Sequence, residues 1–270
     1  GIFAEVSVTK LFMAGIFPGL LTISIYAAMI IVRCWLNPVL APRVNIDINW
    51  SMRWNSLLPI WPIFVLIGCL LVGFYEGYVT ATEGGAFGAF VLLIISILQK
   101  RMTRDVFVKS ITDTLVSTTS LLWIAVGAIM FTRFLAITGT SGAISDIATV
   151  WVASPLSAIL VAAVIFLILG MFLDPMGILL LTLPIVLPMF RELDMNLIWI
   201  GVLVVKFIEI GLLTPPVGMN VYAIKNVVDE TISLGTIFKG TFWFLACEIV
   251  VVSLLIYFPQ ISLFIPGLLN

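Results

Sequence analysis

The chain has 270 residues, of which 62% are hydrophobic and only 10% charged, at a net charge of -1 and a mean hydropathy of +1.24. A soluble domain carries about 25% charged residues, so this composition defines a polytopic membrane protein and excludes a soluble nucleic-acid binder. The chain has no histidine, which removes histidine general-base chemistry and histidine metal ligands. Cys34, Cys69 and Cys247 are widely spaced in apolar surroundings and read as small core residues.

A membrane helix needs roughly 20 apolar residues. The first predicted span covers about 11–35, and a polar stretch with Arg43 and Arg53 follows. Spans at about 57–74 and 83–98 come next, the latter opened by Thr80-Ala81-Thr82-Glu83-Gly84-Gly85. Residues 100–109 alternate charge with apolar side chains, which suits a helix lying in the membrane interface.

Three later apolar runs carry a break. The run 115–152 turns at Thr138-Gly139-Thr140-Ser141-Gly142, and its short second arm predicts a re-entrant hairpin. The run 155–190 is broken at Asp174-Pro175 and is expected to make one crossing from two half-helices. The run 197–228 is broken at Thr214-Pro215-Pro216-Val217-Gly218, and a last span covers about 237–258. Broken backbone inside a membrane persists only where protein or water covers it. Secondary transporters build ion and substrate sites from such interruptions.

Basic residues mark cytoplasmic loops. Arg33, Arg43 and Arg53 place the loop after the first span in the cytoplasm, and Lys100, Arg101, Arg104 and Lys109 the loop after the third. Val6-Ser7-Val8 with Phe12 resembles Ile232-Ser233-Leu234 with Phe238, which reads as the closing helices of two structural repeats. A start at Gly1 rather than Met is expected of the tail of a longer polypeptide or of a cleaved product.

Each break has a bland and a functional reading. Thr138–Gly142 is an ordinary loop or a hairpin tip whose carbonyls and hydroxyls suit sodium. Asp174 is a helix N-cap before Pro175, or an acidic group kept in a span for function, and a capped half-helix can face an anion. The pair Pro215-Pro216 removes two donors and bars a continuous helix, and Asn220 adds an amide. Arg133 could meet a carboxylate substrate or snorkel to the interface. Lys206 and Glu209 lie three apart on one helix face and are expected to pair.

At these residues the chain resembles a known family. The strings MFLDPMGILLLTLPIVLPMF, EIGLLTPPVGMNVYAIKNV, TATEGGAFGAF and KLFMAGIFPGLL are similar to the large membrane subunit of TRAP (tripartite ATP-independent periplasmic) transporters, over its C-terminal half. The resemblance implies an elevator-type carrier in a bacterial inner membrane, with sodium as coupling ion and no organic cofactor. It also implies four partners: the N-terminal half of the same subunit, a small membrane subunit, a periplasmic binding protein and an organic acid such as a dicarboxylate or sialic acid. Gly139, Gly211, Thr214, Pro215 and Met219 would surround sodium together with Thr138, and Arg133, Asp174 and Asn220 would face the substrate.

The expected fold is all-α, with about six crossings, one hairpin and two broken helices, forming half of an inverted repeat. Residues 1–112 are expected to be scaffold, 113–230 the transport domain and 231–270 a scaffold helix. Two alternatives stay open: a sodium/carboxylate symporter without a binding protein, and a channel or assembly subunit. A hydrolase is disfavoured, because there is neither histidine nor a Gly-x-Ser-x-Gly elbow.

Overall fold

A computed structural model describes residues 1, 4–41, 50, 54, 58–139, 154–225, 227–228 and 231–268. Among them the regular structure is entirely helical. Helix α1 is Val8–Ala14, α2 Ile16–Leu36, α3 Trp61–Tyr75, α4 Ala81–Leu98, α5 Arg104–Ile137 and α6 Pro155–Gly170. Then follow α7 Pro175–Glu192, α8 Leu197–Leu213, α9 Met219–Lys225, α10 Leu234–Tyr257 and α11 Gln260–Gly267. By length and apolarity Val8–Leu36, α7 and α10 can each cross a membrane.

The chain forms two compact units, Gly1–Leu36 with Ser120–Asn270, and Asn37–Thr119. In the second unit α3 packs on α4. A Cβ built on Gly84 would lie 2.6 Å from the Phe74 ring, so the glycine admits that ring. Thr80 and Glu83 close α4 with a capping box.

In the first unit the closest packing is α6 against α8. Lipid tails are as apolar as leucine, so helices in a bilayer associate through close van der Waals approach at small residues. Gly170 ends α6 and stands against Gly211, near the end of α8: a Cβ on Gly170 would be 2.8 Å from the Gly211 Cα. Ala158, Ala162, Phe166 and Gly170 of α6 are all buried along this face.

This pairing fixes the course of the chain. Helices α6 and α8 pack along their lengths with their C-terminal ends together, so they run parallel. Helix α7 joins the end of one to the start of the other and therefore runs back antiparallel. Its 18 residues extend about 27 Å, close to the thickness of a hydrocarbon core. Over the expected broken crossing at 155–190 the structure has two antiparallel helices, α6 and α7, joined by a turn at 171–174. The Asp-Pro pair starts a new helix here rather than interrupting one.

The second break is present where expected, between the end of α8 at Leu213 and the start of α9 at Met219. Helix α9 spans only 7 residues, and the Lys225 ammonium donates to Ile232 O across the turn into α10. The expected interfacial helix at 100–109 and the apolar run after it are not separate elements, because α5 continues through both for 34 residues. Of the expected hairpin, the first arm is the end of α5. The remainder, 140–152, lies outside the described residues.

Helices α8 and α10 run antiparallel, with Trp199 against Leu255 and Lys206 against Glu248. Helix α2 joins them through Tyr26, whose ring meets Phe244 edge-on, and through Arg33, stacked 4.3 Å over the Trp243 ring.

Candidate functional site

The site grows from the way α8 ends. Pro215 and Pro216 stand where the amide donors to Gly211 O and Leu212 O would be, and proline has none. Gly211 O recovers a partner three residues on, the Thr214 amide at 3.0 Å. The Thr214 hydroxyl donates to Ile210 O at 2.6 Å, keeping its own oxygen as an acceptor. The Pro215–Pro216 peptide is cis.

Gly218 follows at φ +60°, a conformation suited to glycine. A Cβ there would lie 3.2 Å from the Phe238 ring, 3.3 Å from Thr214 O and 3.4 Å from Leu212 O. Two carbonyl oxygens thus lie close to one glycine, and Thr214, which carries one of them, also bears a hydroxyl. Among the described residues no three His, Cys, Asp or Glu side chains gather. A cation here would be held by carbonyl and hydroxyl oxygens, a donor set that suits a hard monovalent ion.

The Gly170–Gly211 contact brings the two breaks to one end of the α6–α8 pair. Asp174 lies four residues beyond Gly170 and Thr214 three beyond Gly211. One oxygen of Asp174, Oδ2, accepts from the Met176 and Gly177 amides, both at 3.0 Å. Its carboxylate therefore occupies the anion position at the α7 N-terminus.

Of the other expected sodium residues, Gly211 is buried in the helix contact, while Pro215 is half-buried and Met219 exposed at the start of α9. Asn220 is exposed beside Met219. Thr138 ends α5, donating its hydroxyl to Phe134 O at 2.8 Å, and Gly139 follows in an open turn at φ +69°. Thr140, Ser141 and Gly142 of the expected tip lie outside the described residues.

Arg133 lines a cavity of about 350 Å³ with Leu187, Pro184, Pro188 and Arg191. The two prolines free the carbonyls of Leu180 and Pro184 within α7. Arg191 donates to Ala4 O at 3.1 Å. Its convergence with Arg133 was not foreseen, because 58 positions of sequence separate them.

The expected Lys206–Glu209 pair is present at 2.7 Å. The same ammonium also lies 3.0 Å from the Glu248 carboxylate, which is fully buried and accepts the Tyr26 hydroxyl. Glu248 escaped the sequence reading, yet a signal existed: it is the sole acidic residue in the apolar run 237–258.

Residues 1–261 match the family described as Tripartite ATP-independent periplasmic transporter, DctM component. The chain belongs to that family, and with its apolar helices it is a membrane protein. It is 31% identical to the C4-dicarboxylate TRAP transporter large permease protein DctM of Pseudomonas aeruginosa, over 98% of this chain and 61% of that protein. It is 28% identical to the sialic acid TRAP transporter permease protein SiaT of Haemophilus influenzae, over 100% of this chain and 43% of that protein. Identity to the 2,3-diketo-L-gulonate TRAP transporter large permease protein YiaN of Escherichia coli is also 28%, over 61% of that protein. The chain thus spans less than two thirds of these relatives, and the part matched is their C-terminal portion.

Proposed function

We propose that the chain is part of a sodium-coupled secondary transporter of the bacterial inner membrane. In this reading it takes up an organic acid, of dicarboxylate or sialic acid type, from a periplasmic binding protein and works beside a small membrane subunit. The rest of the same large subunit supplies the counterpart hairpin and break. The observation that carries the reading is the break at 214–218, where Leu212 O and Thr214 O lie close to Gly218 and two prolines withdraw their amide donors. Oxygens released from helix pairing can replace the hydration shell of sodium inside a membrane.

Sodium is held between this break and the tip beginning at Thr138 and Gly139, with Gly211, Pro215 and Met219 shaping the backbone. The substrate carboxylate meets Arg133, with Arg191 in the same cavity, and Asn220 adds an amide. Asp174 acts through its cap, which fixes the start of α7 at the same end. The moving body includes α2 and α10 as well as 113–230, because the Lys206–Glu248 ion pair ties α10 to α8 and the Tyr26 hydroxyl, donating to Glu248, ties α2 to α10.

Proteoliposomes holding the complete transporter test this reading. Labelled dicarboxylate or sialic acid, presented with its binding protein, accumulates under an inward sodium gradient and not under an equal potassium gradient. Equal accumulation under both refutes the sodium reading.

A further inference from the structure

Helix α8 touches α10 through polar groups at two points, two helical turns apart. The Trp199 indole donates to Leu255 O at 2.9 Å. The Lys206 ammonium lies 3.0 Å from Glu248. Seven residues separate these points on each helix, counted in opposite directions, so both contacts belong to one antiparallel register. Continued along the pair, that register sets Leu213 opposite Thr241. Beyond the end of α8, Gly218 stands against Phe238 of α10.

We propose that Lys206, Glu248, Tyr26 and Trp199 form a register lock that positions the 214–218 break along α10. They are positioning residues, and the proposal rests on the cation reading of that break. Apolar contacts between membrane helices specify axial position poorly, since leucine meets leucine equally well one turn away. A buried charge pair specifies it sharply. A slip of one turn, about 5.4 Å, separates Lys206 from Glu248 and leaves that buried carboxylate without its cation. Fixing register is the best-attested use of buried polar groups.

The surroundings reinforce the lock. Glu248 is 0% exposed, and among the described residues its Oε2 accepts no hydrogen bond beyond the ion contact. Tyr26 from α2 covers Oε1. Glu209 shares the same ammonium from one turn along α8. The carbonyls that face Gly218 serve an ion only when they are held to a fraction of an ångström, and Phe238 of α10 forms one wall there.

Cysteine cross-linking in the full-length transporter, with Cys34, Cys69 and Cys247 replaced, tests the lock. The native pair is Leu213→Cys with Thr241→Cys. The slipped pairs combine Leu213→Cys with Leu245→Cys or Ile237→Cys. Lys206→Met with Glu248→Met removes both charges together, so no buried charge of that pair is stranded and folding is retained. This double variant is expected to lower the native-to-slipped cross-link ratio several-fold and to raise the half-saturation for sodium by about tenfold, while Lys206→Arg retains both. An unchanged cross-link ratio in the double variant overturns the lock. A shifted ratio with an unchanged sodium curve overturns its positioning role. If Thr214→Val also leaves the sodium curve unchanged, the sodium reading fails, and the cross-link ratio alone decides the lock.

Discussion

Gly170 and Gly211 face each other across the α6–α8 contact so closely that a Cβ on Gly211 would lie 2.7 Å from the Gly170 Cα. This contact sets the two chain breaks side by side. Gly211→Ala is expected to separate the helices and destabilise the protein by about 1–3 kcal/mol, the usual range for overpacking. Gly19→Ala and Gly240→Ala, where nothing lies within 4 Å of the new Cβ, are expected to be neutral or slightly stabilising. Thermal unfolding in detergent checks the difference. Equal melting temperatures for Gly211→Ala and Gly240→Ala contradict the close approach.

The buried pair and the surface pair are expected to behave differently. Lys206→Ala leaves the buried Glu248 charge without its cation, which costs roughly 3–5 kcal/mol. Arg191 stands 4.0 Å from an exposed Glu5, and Arg191→Ala is expected to cost less than about 1 kcal/mol. Denaturation of the two variants under one set of conditions checks this. Similar losses show that the Glu248 environment does not depend on Lys206.

Asp174 separates capping from charge. Asp174→Ala removes the acceptor for the Met176 and Gly177 amides and is expected to cost about 1 kcal/mol. Asp174→Asn keeps an acceptor and is expected to restore both stability and uptake. Restored stability with lost uptake assigns the charge itself a role in transport.

The break at 214–218 and the Lys206–Glu209 pair were legible in the sequence because each rests on local chemistry. Prolines remove donors wherever they stand, and residues three apart on a helix share a face. The antiparallel return of α7 was not legible. Asp174-Pro175 looks the same whether it interrupts a crossing or starts a new one, and the Gly170–Gly211 contact decides between them. Glu248 was missed for a similar reason, since its partners Tyr26 and Lys206 lie 222 and 42 positions away. The Arg133–Arg191 cavity likewise depends on tertiary placement.

Orientation is checked by thiol labelling. Lys100, Arg101, Arg104 and Lys109 are exposed around the start of α5, and basic residues flanking spans stay in the cytoplasm. Thr103→Cys in a cysteine-free background is expected to resist a membrane-impermeant thiol reagent added outside intact cells and to react after permeabilisation. Full reaction in intact cells reverses the orientation.

The central claim is that oxygens at the α8 break bind the coupling ion. Thr214 and Thr182 form a matched pair: each hydroxyl donates to the carbonyl four residues back, Ile210 O at 2.6 Å and Ile178 O at 2.7 Å. Thr214 sits at the break and Thr182 within the continuous part of α7. Valine at either site removes one neutral hydrogen bond, worth about 1 kcal/mol, so the two folding costs should match. The deciding measurement is uptake by the complete transporter against sodium concentration for both variants. Thr214→Val is predicted to raise the sodium half-saturation by roughly tenfold, equivalent to about 1.4 kcal/mol of lost ion binding, while Thr182→Val keeps the wild-type curve. Coincident wild-type curves for both variants contradict the claim.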